Sequence, residues 1–242
     1  MTVINLDREA QKCVLNGELD IAIPFSMRAK LPCGRDELKI DVFPMYEKNA
    51  HVFLERFGDD IFSKDAICFI RENFGNEIKR LGFSEDEEET LTPNDLFMIN
   101  SPWDVRKDVI FSNTYRLSDI DISKYRNMTT YELQAYATLG VDAFVSVSDG
   151  CIVSIAALNP DDSTDFGDFD CRVSEIGCET CEAYRCRGYA ASNIAALAMM
   201  TLQTKGGVVT YETHTDNIPA ARAAEQAGFV RYGSSYYYLL VQ

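Results

Sequence analysis

Arg185-x-x-Gly188-x-Ala190 stands immediately before a run of small and apolar residues, in a chain whose formal net charge is -15. A helix beginning there presents unpaired N–H groups and about half a unit of positive charge at that end. Glycine lets a bulky anion approach the backbone. The spacing suits phosphate. Just upstream, "RVSEIGCETC" carries Glu175 and Glu179. On a strand, residues four apart share a face, and a carboxylate there can take a proton directly or through water. Glu212 is a third carboxylate, on the adjacent "VVTYETH". Of the two histidines, His51 and His214, the second ends that segment, where it can serve as a base or as a hydrogen-bonded structural residue. Cys178 and Cys181 make a CxxC with Cys171 and Cys186 nearby. Structural zinc needs four N or S ligands placed tetrahedrally. A strand sends residues 178 and 181 to opposite faces, so small half-buried thiols and no metal are expected.

The bulk of the chain narrows what such groups can serve. With 242 residues and 46% apolar side chains, a packed core forms without staples. Lys and Arg total 23 against 38 Asp and Glu. That surface repels nucleic acid and anionic membranes and favours cationic partners. The N-terminus "MTVINLDREAQ" has no basic region with an apolar run behind it, and no stretch approaches the roughly 20 apolar residues of a membrane span. A soluble cytoplasmic protein with reduced cysteines is expected. A homodimer stays open as an assembly.

The elements around the site read as strand, turn and helix in alternation. Apolar residues at 52, 53, 57 and 61, then at 67, 70, 74, 78 and 81, predict two helices, the second closed by Gly82. "SEDEEE" followed by "TPND" reads as a solvated loop and a plausible boundary. From Asp108 the texture turns to strands: "DVIFSNTYRL", then "VDAFVSVSDG" and "CIVSIAAL" joined as a hairpin at Asp149-Gly150. "MTTYELQAY" between them predicts a short helix with a threonine cap. "RVSEIGCETC" is the next strand. Ile194, Leu197, Ala198, Thr201 and Leu202 then fall at i, i+3, i+4, i+7 and i+8, a helix from near Gly188 to Gly206-Gly207. "VVTYETH", the capped helix "DNIPAARAAEQAG" and "SSYYYLLV" complete the chain. These elements give a region 1–107 of α+β character and a region 108–242 of α/β character on a mixed sheet.

The stretches "EIGCETCEAYRCRGYAASNIAALAMMTLQTKG" and "VVTYETHTDNIPAARAAEQAGF" together resemble the GCN5-related N-acetyltransferases (GNAT). In that family the acyl-CoA loop reads Arg/Gln-x-x-Gly-x-Gly/Ala, and Asn and Gly-Phe follow in order. Arg185, Gly188 and Ala190 match the loop; Asn217 and Gly228-Phe229 match the later segment. The resemblance covers about Asp108 to Gln242. It implies the GNAT acyl-CoA N-acyltransferase fold, with residues 1–107 as an N-terminal α+β extension, either an acceptor-site element or a degenerate domain. It implies acetyl-CoA as co-substrate, held by Arg185, Cys186, Arg187, Gly188, Tyr189 and Ala190 around the pyrophosphate. Cys178, Glu179 and Thr180 would line the pantetheine arm and thioester, and Asn217 would touch the cofactor beyond the sulfur. The implied reaction is direct acetyl transfer to a primary amine, and the chain's acidity agrees with a small cationic acceptor. Glu179 is the first choice of base because it adjoins the implied thioester, with Glu175 and His214 after it. Where many members carry a tyrosine as proton donor, this chain has Ala224. Tyr232, Tyr236, Tyr237 or Tyr238 is the expected substitute. A non-catalytic acyl-CoA sensor or interaction module on the same fold is the rival reading.

Overall fold

The structure, a computed structural model, describes residues 2–31, 35–58, 60–86, 90–159 and 172–242. The chain divides into two compact units, 1–94 with 233–242, and 95–232. The texture change read from sequence lies a short way inside the second unit, and the last strand contributes to both.

The first unit contains β1 (Thr2–Leu6), α1 (Arg8–Leu15), β2 (Ile21–Leu31), β3 (Arg35–Val42), α2 (Glu47–Phe57), α3 (Lys64–Asn73), α4 (Asn76–Lys79) and β4 (Ser84–Glu85). The run expected as one helix through Leu81 is two, because Gly75 takes a left-handed φ of 86° between α3 and α4. Its strands run β1-β3-β2 and then the final strand of the chain, with β1 parallel to β3 and β2 antiparallel to both neighbours. Phe25, Phe53, Phe74, Tyr236 and Tyr238 are fully buried in its core. The Tyr236 hydroxyl donates to the Ile61 carbonyl and that of Tyr238 to the Glu85 carboxylate. These two tyrosines are therefore core residues of the first unit with committed hydroxyls, and their expected role as proton donors is withdrawn.

The second unit comprises β5 (Asn94–Ile99), β6 (Thr114–Arg116), β7 (Arg126–Asn127), α5 (Leu133–Leu139), β8 (Ala143–Ser148), β9 (Cys151–Leu158), β10 (Val173–Thr180), α6 (Tyr189–Thr204), β11 (Val208–His214) and α7 (Ile218–Ala227). The final strand is β12 (Val230–Val241). Strand order is β5-β11-β10-β9-β8-β6, with β7 beside β9. The fold class is α/β on a mixed sheet, as the sequence predicts, because β10 runs parallel to β11 and antiparallel to β9. One face packs on α6 and α7 through Ile176, Ile194, Leu197, Val209 and Ala224. The other carries Leu117, Leu133, Val145, Ile155 and Ala157.

Two segments differ from expectation. The strand predicted over Asp108–Leu117 shrinks to β6, because the Phe111 N–H donates to Ser192 Oγ at 2.8 Å and so leaves the ladder for α6. The helix predicted from Met128 begins at Leu133. Asn127 Oδ1 accepts from the Thr129 N–H at 3.0 Å and hydroxyl at 2.9 Å, and its Nδ2 donates to the Tyr131 carbonyl at 2.9 Å. This side-chain turn competes with helix formation. Among the described residues no helix is long and apolar enough to cross a membrane.

Candidate functional site

The site is built on a divided strand. β10 pairs with β11 only at Val173, Ser174 and Glu175, while Ile176 to Thr180 pair with β9 alone. The ladder between β10 and β11 thus stops halfway along β10. Along its second half, that edge of β10 has no β11 partner to take up backbone groups that can hydrogen-bond an extended amide-bearing chain.

At the end of β10 the chain turns into α6. Cys186 and Gly188 both take left-handed φ, 60° and 84°. Glycine adopts this at no steric cost, whereas a side-chain-bearing residue loses about 1–2 kcal/mol. A Cβ at Gly188 would stand 2.9 Å from Phe111 Cζ, so a side chain there is strained by its φ and pushes the Phe111 ring aside. No side chain caps α6, and an uncapped helix start has N–H groups that can bind an anion. Arg185 Nε donates to the Thr180 carbonyl at 3.2 Å. Arg187 donates to the Ala183 carbonyl at 3.0 Å and lies 5.0 Å from the Tyr184 ring centre. These contacts hold both guanidiniums beside the turn and use one of the five N–H donors of each.

A buried polar chain ties α6 to the sheet. Ser192 Oγ lies 2.6 Å from Thr114 Oγ1, which lies 3.2 Å from Ser146 Oγ. Asn193 accepts from Ser146 at 2.8 Å and donates to Ser154 Oγ at 3.0 Å. Ser154 in turn donates to the Glu179 carbonyl at 3.0 Å and meets Thr180 Oγ1 at 2.8 Å. The helix end and the half-paired strand are thereby fixed together. In the sequence these polar residues looked like ordinary members of apolar runs.

The expected catalytic groups fall as follows. Glu179 is half-buried on β10, and its carboxylate accepts from the Thr130 N–H at 2.9 and 3.2 Å and from the Thr130 hydroxyl at 2.7 Å. It fastens the loop before α5. Glu175 and His214 are half-buried on β10 and β11. Asn217 caps α7 by accepting from the Ala220 N–H at 3.3 Å, which leaves its amide nitrogen available. Ala224 is fully buried in the α6–α7 core, where no tyrosine would fit. Cys178 is half-buried on the α6 face, and burial with the nearby Glu179 charge pushes its thiol up to about 12. At that value it is a neutral, unreactive group. Cys171, part of the zinc alternative, lies outside the described residues; among those described, no three His, Cys, Asp or Glu gather as a metal site.

Two tyrosines that the sequence did not single out are electrostatically coupled to these groups. Burial first, then the charges of Tyr136, Cys178 and Glu179, push the Tyr131 hydroxyl up to about 12. Burial, with Cys178 and Tyr131, likewise raises Tyr211 on β11. Tyr131 also lines a hollow of about 300 Å³ with Tyr125, Asn127, Thr130, Glu132 and Gln134. No basic residue is among its lining, and Glu132 is its one carboxylate.

No family model matches the chain, and no curated protein does. Solved structures similar to it include a protein assigned to the GNAT acetyltransferases of Novosphingobium aromaticivorans, at 20% identity and a TM-score of 0.43, over 62% of this chain and 65% of that one. A GCN5-related N-acetyltransferase from Kribbella flavida aligns at 15% identity and a TM-score of 0.41, over 69% and 63%. A GNAT-family acetyltransferase from Colwellia psychrerythraea aligns at 11% and 0.39, over 61% and 56%. The chain thus spans somewhat under two thirds of each of these relatives.

Proposed function

We propose that the second unit is a GNAT-type acetyltransferase that moves acetyl from acetyl-CoA directly to a primary amine of a small cationic molecule. The observation that carries this reading is the half-paired strand β10 leading into the uncapped, glycine-started N-terminus of α6. The free edge suits the amides of a pantetheine arm. The helix end with Arg185, Cys186, Arg187, Gly188, Tyr189 and Ala190 suits a diphosphate. The hollow beside Tyr131, acidic and without basic residues, supports a cationic acceptor, as does the net charge of -15.

In this reaction the neutral amine attacks the thioester carbonyl carbon, a C–N bond forms and the C–S bond breaks. The thiolate leaves and gains a proton, while the new amide nitrogen loses one. A lysine-like amine has a pKa near 10.4, so at pH 7 about one molecule in 2,500 is the nucleophile. Deprotonation of the amine is therefore the step for which a carboxylate matters. The thiol, with a pKa near 8.5, departs with modest help. Glu175 and His214 are the further base candidates besides Glu179.

The commitment of Glu179 to Thr130 and the burial of Ala224 favour a second reading, a non-catalytic acyl-CoA sensor. One experiment separates the two: thiol release from acetyl-CoA against a panel of diamines, polyamines and amino sugars. Turnover with a cationic amine is the expected result. Calorimetric binding of acetyl-CoA without thiol release would establish the sensor.

A further inference from the structure

Gly177 sits in the middle of β10, where a side chain would ordinarily pack against the sheet. A glycine inside a strand leaves room on its face for a close approach. The group that comes close is the Tyr131 hydroxyl: a Cβ added at Gly177 would stand 3.0 Å from it. Gly177 lies on the stretch of β10 that has lost β11 as a neighbour. The hydroxyl is thus delivered, from a loop 46 positions earlier in the chain, to the strand segment that would carry the thioester.

The loop is held there from two sides. Glu179, on the same face of β10 as Gly177, grips the Thr130 N–H and hydroxyl. Asn127 closes on Thr129 and on the Tyr131 carbonyl. The Tyr131 ring leans edge-on against Tyr136, with centres 5.4 Å apart. Glu179, Asn127 and Tyr136 together fix where the loop presents the Tyr131 side chain. Among the described residues no hydrogen bond joins the Tyr131 hydroxyl to another group.

From this we infer that Tyr131 is a catalytic hydrogen-bond donor to the negative charge that builds at the thioester during amine attack, with Gly177 providing its space and Glu179 and Asn127 its position. This rests on the acetyltransferase reading. The donor keeps its proton throughout. The high pKa of about 12 holds the hydroxyl neutral across the working range, and giving the proton outright to a thiolate of pKa near 8.5 would be uphill. A fixed neutral donor aimed at developing charge stabilises it without reorganising.

The test is a double-mutant cycle with Tyr131→Phe and Gly177→Ala, following kcat for acetyl transfer and the calorimetric Kd of acetyl-CoA. Tyr131→Phe should lower kcat roughly a hundredfold, the scale for one oxyanion donor, with Kd unchanged. The loss should be the same at pH 6.5 and pH 9, since the donor does not titrate there. Gly177→Ala in the wild type should lower kcat by displacing the hydroxyl. In the Tyr131→Phe background the methyl meets no oxygen, and the added loss should be under about twofold. Full kcat in Tyr131→Phe, or equal losses from Gly177→Ala in both backgrounds, would overturn the role of Tyr131 and leave the acetyltransferase reading standing. Absence of turnover by the wild-type protein with any amine would overturn both.

Discussion

Replacing Asn193 by alanine removes the central link of the chain that joins α6 to β8, β9 and β10. Asn193 is fully buried and makes two hydrogen bonds, from Ser146 at 2.8 Å and to Ser154 at 3.0 Å. Each such bond contributes about 1 kcal/mol net. Their former partners are not stranded, because Ser146 retains Thr114 and Ser154 retains the Glu179 carbonyl and Thr180. The full penalty for orphaned hydroxyls is therefore not incurred. The vacated amide leaves a small cavity, adding roughly 1 kcal/mol. The total comes to about 2–4 kcal/mol. With a urea slope of about 2–3 kcal/mol per molar, the midpoint of the second unit's transition should fall by roughly 1 M at unchanged slope. Circular dichroism during urea titration measures this. A midpoint within about 0.2 M of wild type would refute the claim that Asn193 couples helix to sheet.

Glu179 gives a test of position against catalysis. Glutamine retains one acceptor for Thr130 and alanine retains none, so Glu179→Gln should keep most of the activity while Glu179→Ala loses at least about tenfold. If glutamine is as damaging as alanine, near the roughly 10²–10⁴ attributed to a general base, the carboxylate is the base after all. Stability should fall in alkali. Cys178 rises from 9.0 to about 12 and Tyr131 from 10.0 to about 12 on folding. Both folded values exceed the unfolded ones, so the unfolded chain gives up these protons first. Their stabilising contribution is complete below about pH 9 and disappears progressively between pH 9 and 12. Urea unfolding at pH 8 and pH 10.5 should show the drop, and Cys178→Ala should make it shallower.

What the sequence made legible was local. The start of α6 followed from Gly188 and the apolar spacing behind it, and α7 from Asn217 and Pro219, because caps and periodicity act within a few residues. The hairpin at Asp149-Gly150 was legible for the same reason. The division of β10 was not, since pairing is decided by β9 partners 18 to 26 positions away and β11 partners 35 positions away and leaves no mark on β10 itself. The Asp108–Leu117 segment has the composition of a strand, yet a hydrogen bond to Ser192 draws Phe111 out of the ladder. The partner of Glu179 lies 49 residues upstream, and the hydroxyl over Gly177 comes from the same loop. A glycine inside an otherwise β-forming strand was the available sign of that approach.

The claim on which the rest depends is that the turn into α6 grips a diphosphate. Calorimetric titration of acetyl-CoA into the wild type and into Arg185→Glu/Arg187→Glu/Gly188→Val, with circular dichroism to verify folding, measures it. The wild type should bind with a Kd on the order of 1 µM, and the folded variant should bind at least about tenfold more weakly, a difference of about 1.4 kcal/mol. Equal affinity in the two proteins, or no binding by the wild type, would contradict it.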